Sequence, residues 1–424
     1  MSYDVAGVRG LYTSLSDGWI YLNAHDTPQI PERVSSAVAR SFRMSAAVPP
    51  PEPSRGTHVR EAVGRPEGEA FLADARAAVA DLAGVSPERV VLGPSLPALY
   101  MALTAAMRPL YRHNSSIVLN NVDRPALNTV LTRANAEVRW AQADLATGEL
   151  PAWQYDGLVD GSTRLVSIPA AHAQLGTVVA VRDIVDRVQG RSRAWVLVDA
   201  SSYAPYRLIT FDDWRADIVA LDVAELGGPR VAALVFRDEA MLRRLDAELL
   251  AAPQLTVSEG LAGGVSAAVD HYASLAGVGA GAGGGAVGAS GVAGANGSPR
   301  QSRRARLAIS MNEMSVYMES LREDLETFLG TLPVVHIVGI TGEAAEHADA
   351  DRIPRLTFGV RGVPSATVLQ RLVANGMVAT EASASTLLQD MGVFEMGGAV
   401  TVGLAPFNTQ ADIVQLTRTV ASLA

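Results

Sequence analysis

Apolar and polar positions along this chain fall into two rhythms. Short apolar runs at residues 90–92, 117–119, 138–140, 165–168, 195–198, 218–221 and 231–236 are bounded by Gly, Pro, Asn or Asp, which predicts buried strands. Between them lie stretches with helical spacing. Val34, Ala37, Val38 and Phe42 follow Pro31 at a first-turn position, 67–82 is alanine-rich, and Gly93-Pro94-Ser95-Leu96-Pro97 opens a helix through about Met107. Residues 238–250 and 259–275 continue the pattern, and 303–329 is a long helix with Leu307, Met311, Met314, Tyr317, Leu321 and Leu325 on one face. Strands alternating with helices predict an α/β fold around a mostly parallel sheet. Towards the C-terminus, runs at 334–340, 356–360 and 398–405, with helices at 365–375 and 409–423, predict a smaller α+β unit. Thr409 with Asp412 has the spacing of an N-terminal cap.

Two segments carry neither rhythm. Residues 48–66 are rich in proline and charge and read as a surface loop, whereas 277–297 contain only Gly, Ala, Val, Ser and Asn and read as a flexible insertion. Inside the latter, Gly279-x-Gly281-x-x-Gly284 formally matches a dinucleotide fingerprint. It has no strand before it and no helix after it, so it is chance in a low-complexity run. The expected organisation is an N-terminal segment at 1–30, a large α/β domain at 31–276, the insertion at 277–302, and an interdomain helix with the small domain at 303–424.

Composition narrows the function. The chain has 424 residues, 48% of them hydrophobic, enough for a large core, and a net charge of -9 that disfavours a nucleic-acid or anionic-membrane surface. No apolar run approaches the roughly 18 residues of a membrane span. Residues 1–12 lack the basic start and apolar block of a secretory leader, so a cytoplasmic location is expected. There is no cysteine, which excludes disulfides, thiolate metal sites and a thiol nucleophile. There is also no lysine: all 35 basic residues are arginine.

The most informative stretch is 195–236. A buried strand delivers Asp199 to its carboxyl end, Ala200 and Tyr203-Ala204-Pro205-Tyr206 follow, and a second strand leads to Asp222, Glu225 and a Gly227-Gly228-Pro229 turn. This pattern resembles the cofactor segment of class V aminotransferases, and within them the cysteine-desulfurase-like branch. The short Asn23-containing strand at 18–25, the Gln174-Leu175-Gly176-Thr177 corner and the closing Gly403-Leu404-Ala405-Pro406-Phe407-Asn408-Thr409 motif extend the resemblance over nearly the whole chain. It implies the aspartate-aminotransferase fold, a seven-stranded-type sheet sandwiched by helices with a smaller C-terminal α+β domain, and a homodimer that uses pyridoxal phosphate (PLP).

The chemical positions depart from that pattern. Glu225 stands where the family's lysine forms the internal aldimine, and arginine, with a pKa above about 12, is never a free nucleophilic amine. Asp222 replaces a phosphate-binding serine, Pro97 a phosphate-binding hydroxyl, and Arg124 the aromatic that stacks on the ring. Ala173 replaces an asparagine, Thr401 the arginine that holds the substrate carboxylate, and Gln254-Leu255 the Gly-Thr pair that reaches the partner's phosphate. Asp199, the pyridinium partner, persists, and Ser202 lies at a further family position beside the cofactor. Two carboxylates in place of a hydroxyl and a cation repel a dianionic phosphate, unless Arg124 or Arg230 neutralises them and plugs the site.

No catalytic residue is therefore expected. Asp199, Arg124, Ser202, Asp222 and Glu225 remain as vestigial cofactor-binding positions, and PLP is implied by the resemblance alone, not as a covalent aldimine. His172 is a candidate acid–base group that reads better as structural. His347 beside Asp349 and Asp351 lacks ligand spacing and reads as a solvated loop rather than a metal site. The expected function is a binding or regulatory role as a catalytically degenerate homologue, a homodimer or a partner of an active paralogue. The alternative is an enzyme that holds PLP or another small anion non-covalently.

Overall fold

The computed structural model describes residues 3–48, 66–280 and 301–423. The loop expected at 48–66 and the low-complexity run therefore lie almost wholly outside the described residues. Thirteen strands form three sheets among those described. They are β1 (Ile20–Tyr21), β2 (Val90–Gly93), β3 (Ser116–Asn120), β4 (Glu137–Ala141), β5 (Thr163–Pro169), β6 (Trp195–Asp199), β7 (Ile218–Asp222), β8 (Ala232–Phe236), β9 (Val335–Ile337), β10 (Arg355–Val360), β11 (Met377–Val378), β12 (Thr380–Glu381) and β13 (Val400–Gly403).

Seven of them make the central sheet, in the order β2-β8-β7-β6-β5-β3-β4. Its strands run parallel except β8, which is antiparallel to both neighbours. The alternation of side chains along each strand explains why both faces are covered. Trp195 and Leu197, Ile218 and Ala220, and Leu234 and Phe236 enter one apolar cluster, while Val196 and Val198, Val219 and Leu221, and Ala233 and Val235 enter the other. A strand buried on both faces needs an unbroken apolar run, and each buried Val or Leu contributes about 1.5–3 kcal/mol over an exposed one. Helices Leu96–Ala106 and Pro125–Leu131 cover the first face; Glu67–Ala83, Val181–Arg191, Glu259–Tyr272 and Arg303–Gly330 cover the second.

The long helix has the expected face, with Leu307, Met311, Met314, Leu321 and Leu325 buried and Met318 joining them. The smaller sheet is antiparallel, ordered β12-β13-β10-β9. The helix Gln410–Ala421 that follows it starts at a true capping box: the Thr409 hydroxyl accepts from the Asp412 N–H, and the Asp412 carboxylate accepts from the Thr409 N–H.

Three elements differ from the sequence reading. The strand expected at 18–25 shortens to β1, which pairs in parallel with β11, and Asn23 bridges to Gly403, so the N-terminal segment is tied to the C-terminal part. The helix expected over 238–250 breaks into Glu239–Leu242 and Ala247–Leu250, because the Asp246 N–H is given to the Ala106 carbonyl and leaves the helical ladder. The insertion expected from 277 is helical at its start, as a 3-10 turn spans Leu275–Ala280.

Helix Glu259–Tyr272 packs closely on Glu32–Met44 through bare glycine backbone. A Cβ on Gly264 would stand 2.4 Å from a Val38 methyl and 3.2 Å from the Pro229 ring. Gly264→Val is expected to lower stability by about 1–3 kcal/mol through overpacking, read as a reduced urea midpoint with an unchanged m value.

Candidate functional site

Arg124 follows β3, Asp199 ends β6 and Asp222 ends β7, so all three gather at the carboxyl edge of the central sheet. The chain reverses direction there, between the neighbours of β3, and such crevices bind ligands in open α/β folds. The Arg124 Nε and one of its terminal nitrogens both donate to Asp199 Oδ2, at 3.0 and 2.8 Å. The other oxygen, Oδ1, accepts from the Ser201 N–H at 3.0 Å and its hydroxyl at 2.5 Å. Both oxygens of the expected pyridinium partner are thus engaged within the chain. The hydroxyl that reaches Asp199 is Ser201; Ser202 is buried on the same turn.

Glu225 lies between two guanidiniums. Its Oε2 accepts from Arg355 at 2.8 Å, and its Oε1 stands 3.7 Å from Arg124. Arg230 is exposed, so of the two cations foreseen only Arg124 closes on the acids, and the second is Arg355, which the sequence reading missed. Arg355 is fully buried on β10 and also donates to the Ala173 carbonyl at 3.0 Å and to the Tyr206 hydroxyl at 3.3 Å. The signal in the sequence is an arginine at the head of a mostly apolar run, because a buried arginine must be paired.

Burial works against the charge on Arg124, but Asp199, then Glu225, Asp123 and Asp222 hold it above its ordinary value. Burial, and then the charge of Asp199, push the Asp123 carboxyl up. Burial also raises Asp222, whose carboxylate caps the short turn Val223–Leu226 by accepting from Ala224 at 3.0 Å.

The helix start after β2 offers little to an anion. At the start of Leu96–Ala106, Pro97 has no N–H and Ser95 takes the Ala98 N–H at 3.3 Å, leaving little of the first turn to face a phosphate. Thr401, where a substrate-binding arginine was expected, is buried and pairs with the Thr357 hydroxyl at 2.9 Å. His172 is not brought to the acids. Its Nδ1 accepts from the Gln174 and Leu175 N–H groups, fixing the corner, and burial first, then Arg352 and Arg355, lower its pKa to about 4. Asp351 pairs with Arg207 at 2.7 Å, and among the described residues no acidic or histidine cluster has metal-holding geometry.

These features define a protein of the PLP-transferase fold, with the Arg124–Asp199 and Arg355–Glu225 pairs at the carboxyl edge of its central sheet. The chain belongs to the class-V aminotransferase family, which matches residues 20–249. It is similar to the uncharacterized protein MT3887 of Mycobacterium tuberculosis, 36% identical over 435 residues that cover all of both chains. It is also similar to the uncharacterized aminotransferase YcbU of Bacillus subtilis, 26% identical over 187 residues, 44% of this chain and 48% of that one. Among solved structures, the cysteine desulfurase CsdA of Escherichia coli superposes with a TM-score of 0.75 at 17% identity, covering 99% of this chain and 98% of that one. The apo cysteine desulfurase of Thermococcus onnurineus NA1 gives 0.74 at 16%, covering 99% and 97%. At such identities the likeness is one of fold.

The side chains present do not fit the cofactor this family implies. No amine is available for a Schiff base, Asp199 is bound on both oxygens, and the phosphate end offers a proline and a carboxylate. Two measurements test this geometry. Glu225→Gln leaves the buried Arg355 uncompensated and is expected to cost about 3 kcal/mol, whereas Glu225→Leu combined with Arg355→Met recovers most of it in a double-mutant cycle. His172 is neutral in the fold, so its contribution is complete above the ordinary value of 6.5 and is lost as pH falls towards about 4. Urea midpoints should drop across that window, and His172→Asn should flatten the drop.

Proposed function

We propose that this protein is a class-V aminotransferase homologue that works without PLP chemistry, as a homodimeric binding or regulatory protein of the cytoplasm. The observation that carries the reading is the hold of Arg124 on Asp199, with two donors on the one oxygen Oδ2. An arginine held by two hydrogen bonds to that carboxylate occupies the ground where the family's pyridinium would pair, and releasing it would strand a buried charge. Glu225 in the lysine position supports the same conclusion, as does the absence of lysine and cysteine from the whole sequence. An enzyme that keeps PLP without a covalent tether is the less supported reading, because the guanidiniums that could hold its phosphate are already paired with Asp199 and Glu225.

Among the described residues no helix is long and apolar enough to cross a membrane, in keeping with a role away from the bilayer. The fold family assembles through its large α/β unit, and pairing with an active paralogue uses the same surface. Co-purification from the native host separates the two: a homodimer alone supports self-association, a stoichiometric paralogue the regulatory pair. Titration with micromolar PLP is expected to give no saturable absorbance change, and borohydride reduction no adduct on any internal residue by mass spectrometry. A stable internal adduct overturns the proposal.

A further inference from the structure

Asp123 is the buried acid that the pairing around it leaves without a cation. It precedes Arg124 at the carboxyl edge of the central sheet, and only 3% of its surface is exposed. The Arg124 guanidinium goes instead to Asp199 and Glu225, and among the described residues Asp123 takes part in no ion pair. Its partners are neutral. Oδ1 accepts from the Arg124 backbone N–H at 2.8 Å, and Oδ2 from the Ser167 hydroxyl of β5 at 3.2 Å. The loop holds it there: Asn120 Oδ1 accepts from the Val122 and Asp123 N–H groups at 3.0 and 2.7 Å, and Asn120 Nδ2 donates to the Ser167 carbonyl at 2.8 Å.

Two phenols report the charge of this carboxyl. Tyr100, on the helix Leu96–Ala106, and Tyr155, at the start of Tyr155–Leu158, come from the apolar clusters on opposite faces of the sheet. Both are completely buried, neither hydroxyl has a hydrogen-bond partner, and each lies in the field of Asp123. A buried carboxylate draws the donors within its reach, because hydrogen bonds to a charged group are about twice as strong as those between neutral ones. Idle hydroxyls on two sides are what a neutral carboxyl leaves. The groups facing Asp123 from the neighbouring elements agree. Burial opposes its ionisation most, Asp199 on β6 opposes it next, and β5 presents only the Ser167 hydroxyl. Arg124 favours ionisation, but it is shared with Asp199, Glu225 and Asp222.

We propose that Asp123 is a buried proton switch, a neutral acid in this arrangement whose ionisation draws the Tyr100 and Tyr155 hydroxyls and competes with Asp199 for Arg124. In the neutral state the proton on Oδ2 is donated to Ser167 Oγ. On ionisation that O–H bond breaks, the proton passes to solvent and its electron pair stays on the carboxylate. The Arg124–Asp199 pair thereby has two environments, one on each side of the transition. The inference goes beyond the reading above and does not rest on it, since a proton on Asp123 requires no ligand.

The test is difference infrared spectroscopy on the full chain across a pH titration. A protonated-carboxyl band that fades as pH rises through about 7 is expected in the wild type and absent from Asp123→Asn. Tyr100→Phe removes one donor to the ionised form and should move the midpoint of that fading up by about one pH unit, the size of one charge-assisted hydrogen bond. A hydroxyl that only packs would leave the midpoint in place. Urea midpoints give a second reading. A carboxyl raised in the fold contributes stability that is complete below its ordinary value of 3.8 and is lost as pH rises towards about 7. Asp123→Asn should therefore gain on the wild type across that window, and the slope from His172, which runs the other way, cancels in the difference. Infrared titrations that coincide in the wild type and Asp123→Asn, or urea midpoints that run parallel, overturn the proposal. If Asp123→Asn does not fold, Tyr100→Phe decides, and an unmoved midpoint overturns the proposal equally.

Discussion

The structure of the site depends on the pairing of Arg124 and Arg355 with Asp199 and Glu225. Each of these charges faces an opposite one, since an isolated ion in the interior costs several kcal/mol after relaxation. Together they form a chain of alternating charge from β6 through the Val223–Leu226 turn to β10, and so join the central sheet to the smaller one. This edge of the central sheet is thereby committed to the protein's own cohesion. A single exchange at Glu225 does not undo that, because Arg355 would lose its counterion while Arg124 kept Asp199 engaged.

Much of the fold was legible in the chain. The apolar runs of β5 to β8 are continuous because both their faces are buried, and that signal survives without any partner sequence. Most boundaries moved by a residue or two, the elements expected at 18–25, 259–275 and 334–340 shortened further, and at Asp246 a tertiary hydrogen bond to Ala106 competed with a local one. Half of the site was equally legible: Asp199 at the end of a buried strand, Glu225 in the lysine position and Arg124 as a neutralising cation are local statements. Arg355 was not, because it lies 130 residues from Glu225 and its partner is fixed only once β10 packs beneath the corner at Ala173. Ser201 was missed for a smaller reason. Adjacent serines differ only in which way the turn aims them, and the turn aims Ser201 at Asp199.

Glycines show how a loss of side chain is used elsewhere in the same region. Gly227 adopts φ +68°, and a Cβ there would come within 2.5 Å of the Gln29 carbonyl. The Gly-Gly-Pro turn therefore persists for backbone reasons, to let residues 28–31 close over the cleft, whatever the chemistry beside it. Keeping a fold and keeping a reaction are separate demands, and this turn answers the first through packing.

The buried clasps are built from guanidinium throughout. Arg352 holds the Gly339 and Leu175 carbonyls, Arg304 those of Leu82 and Ile209, and Arg355 that of Ala173. An ammonium in any of these places would discharge as the solution became strongly basic, and its carbonyl partners would be left with a weaker donor. Guanidinium does not discharge in that range, and burial delays the ionisation of Tyr12, Tyr100, Tyr155 and Tyr272 as well. The charges inside this molecule accordingly persist as the solution turns strongly basic.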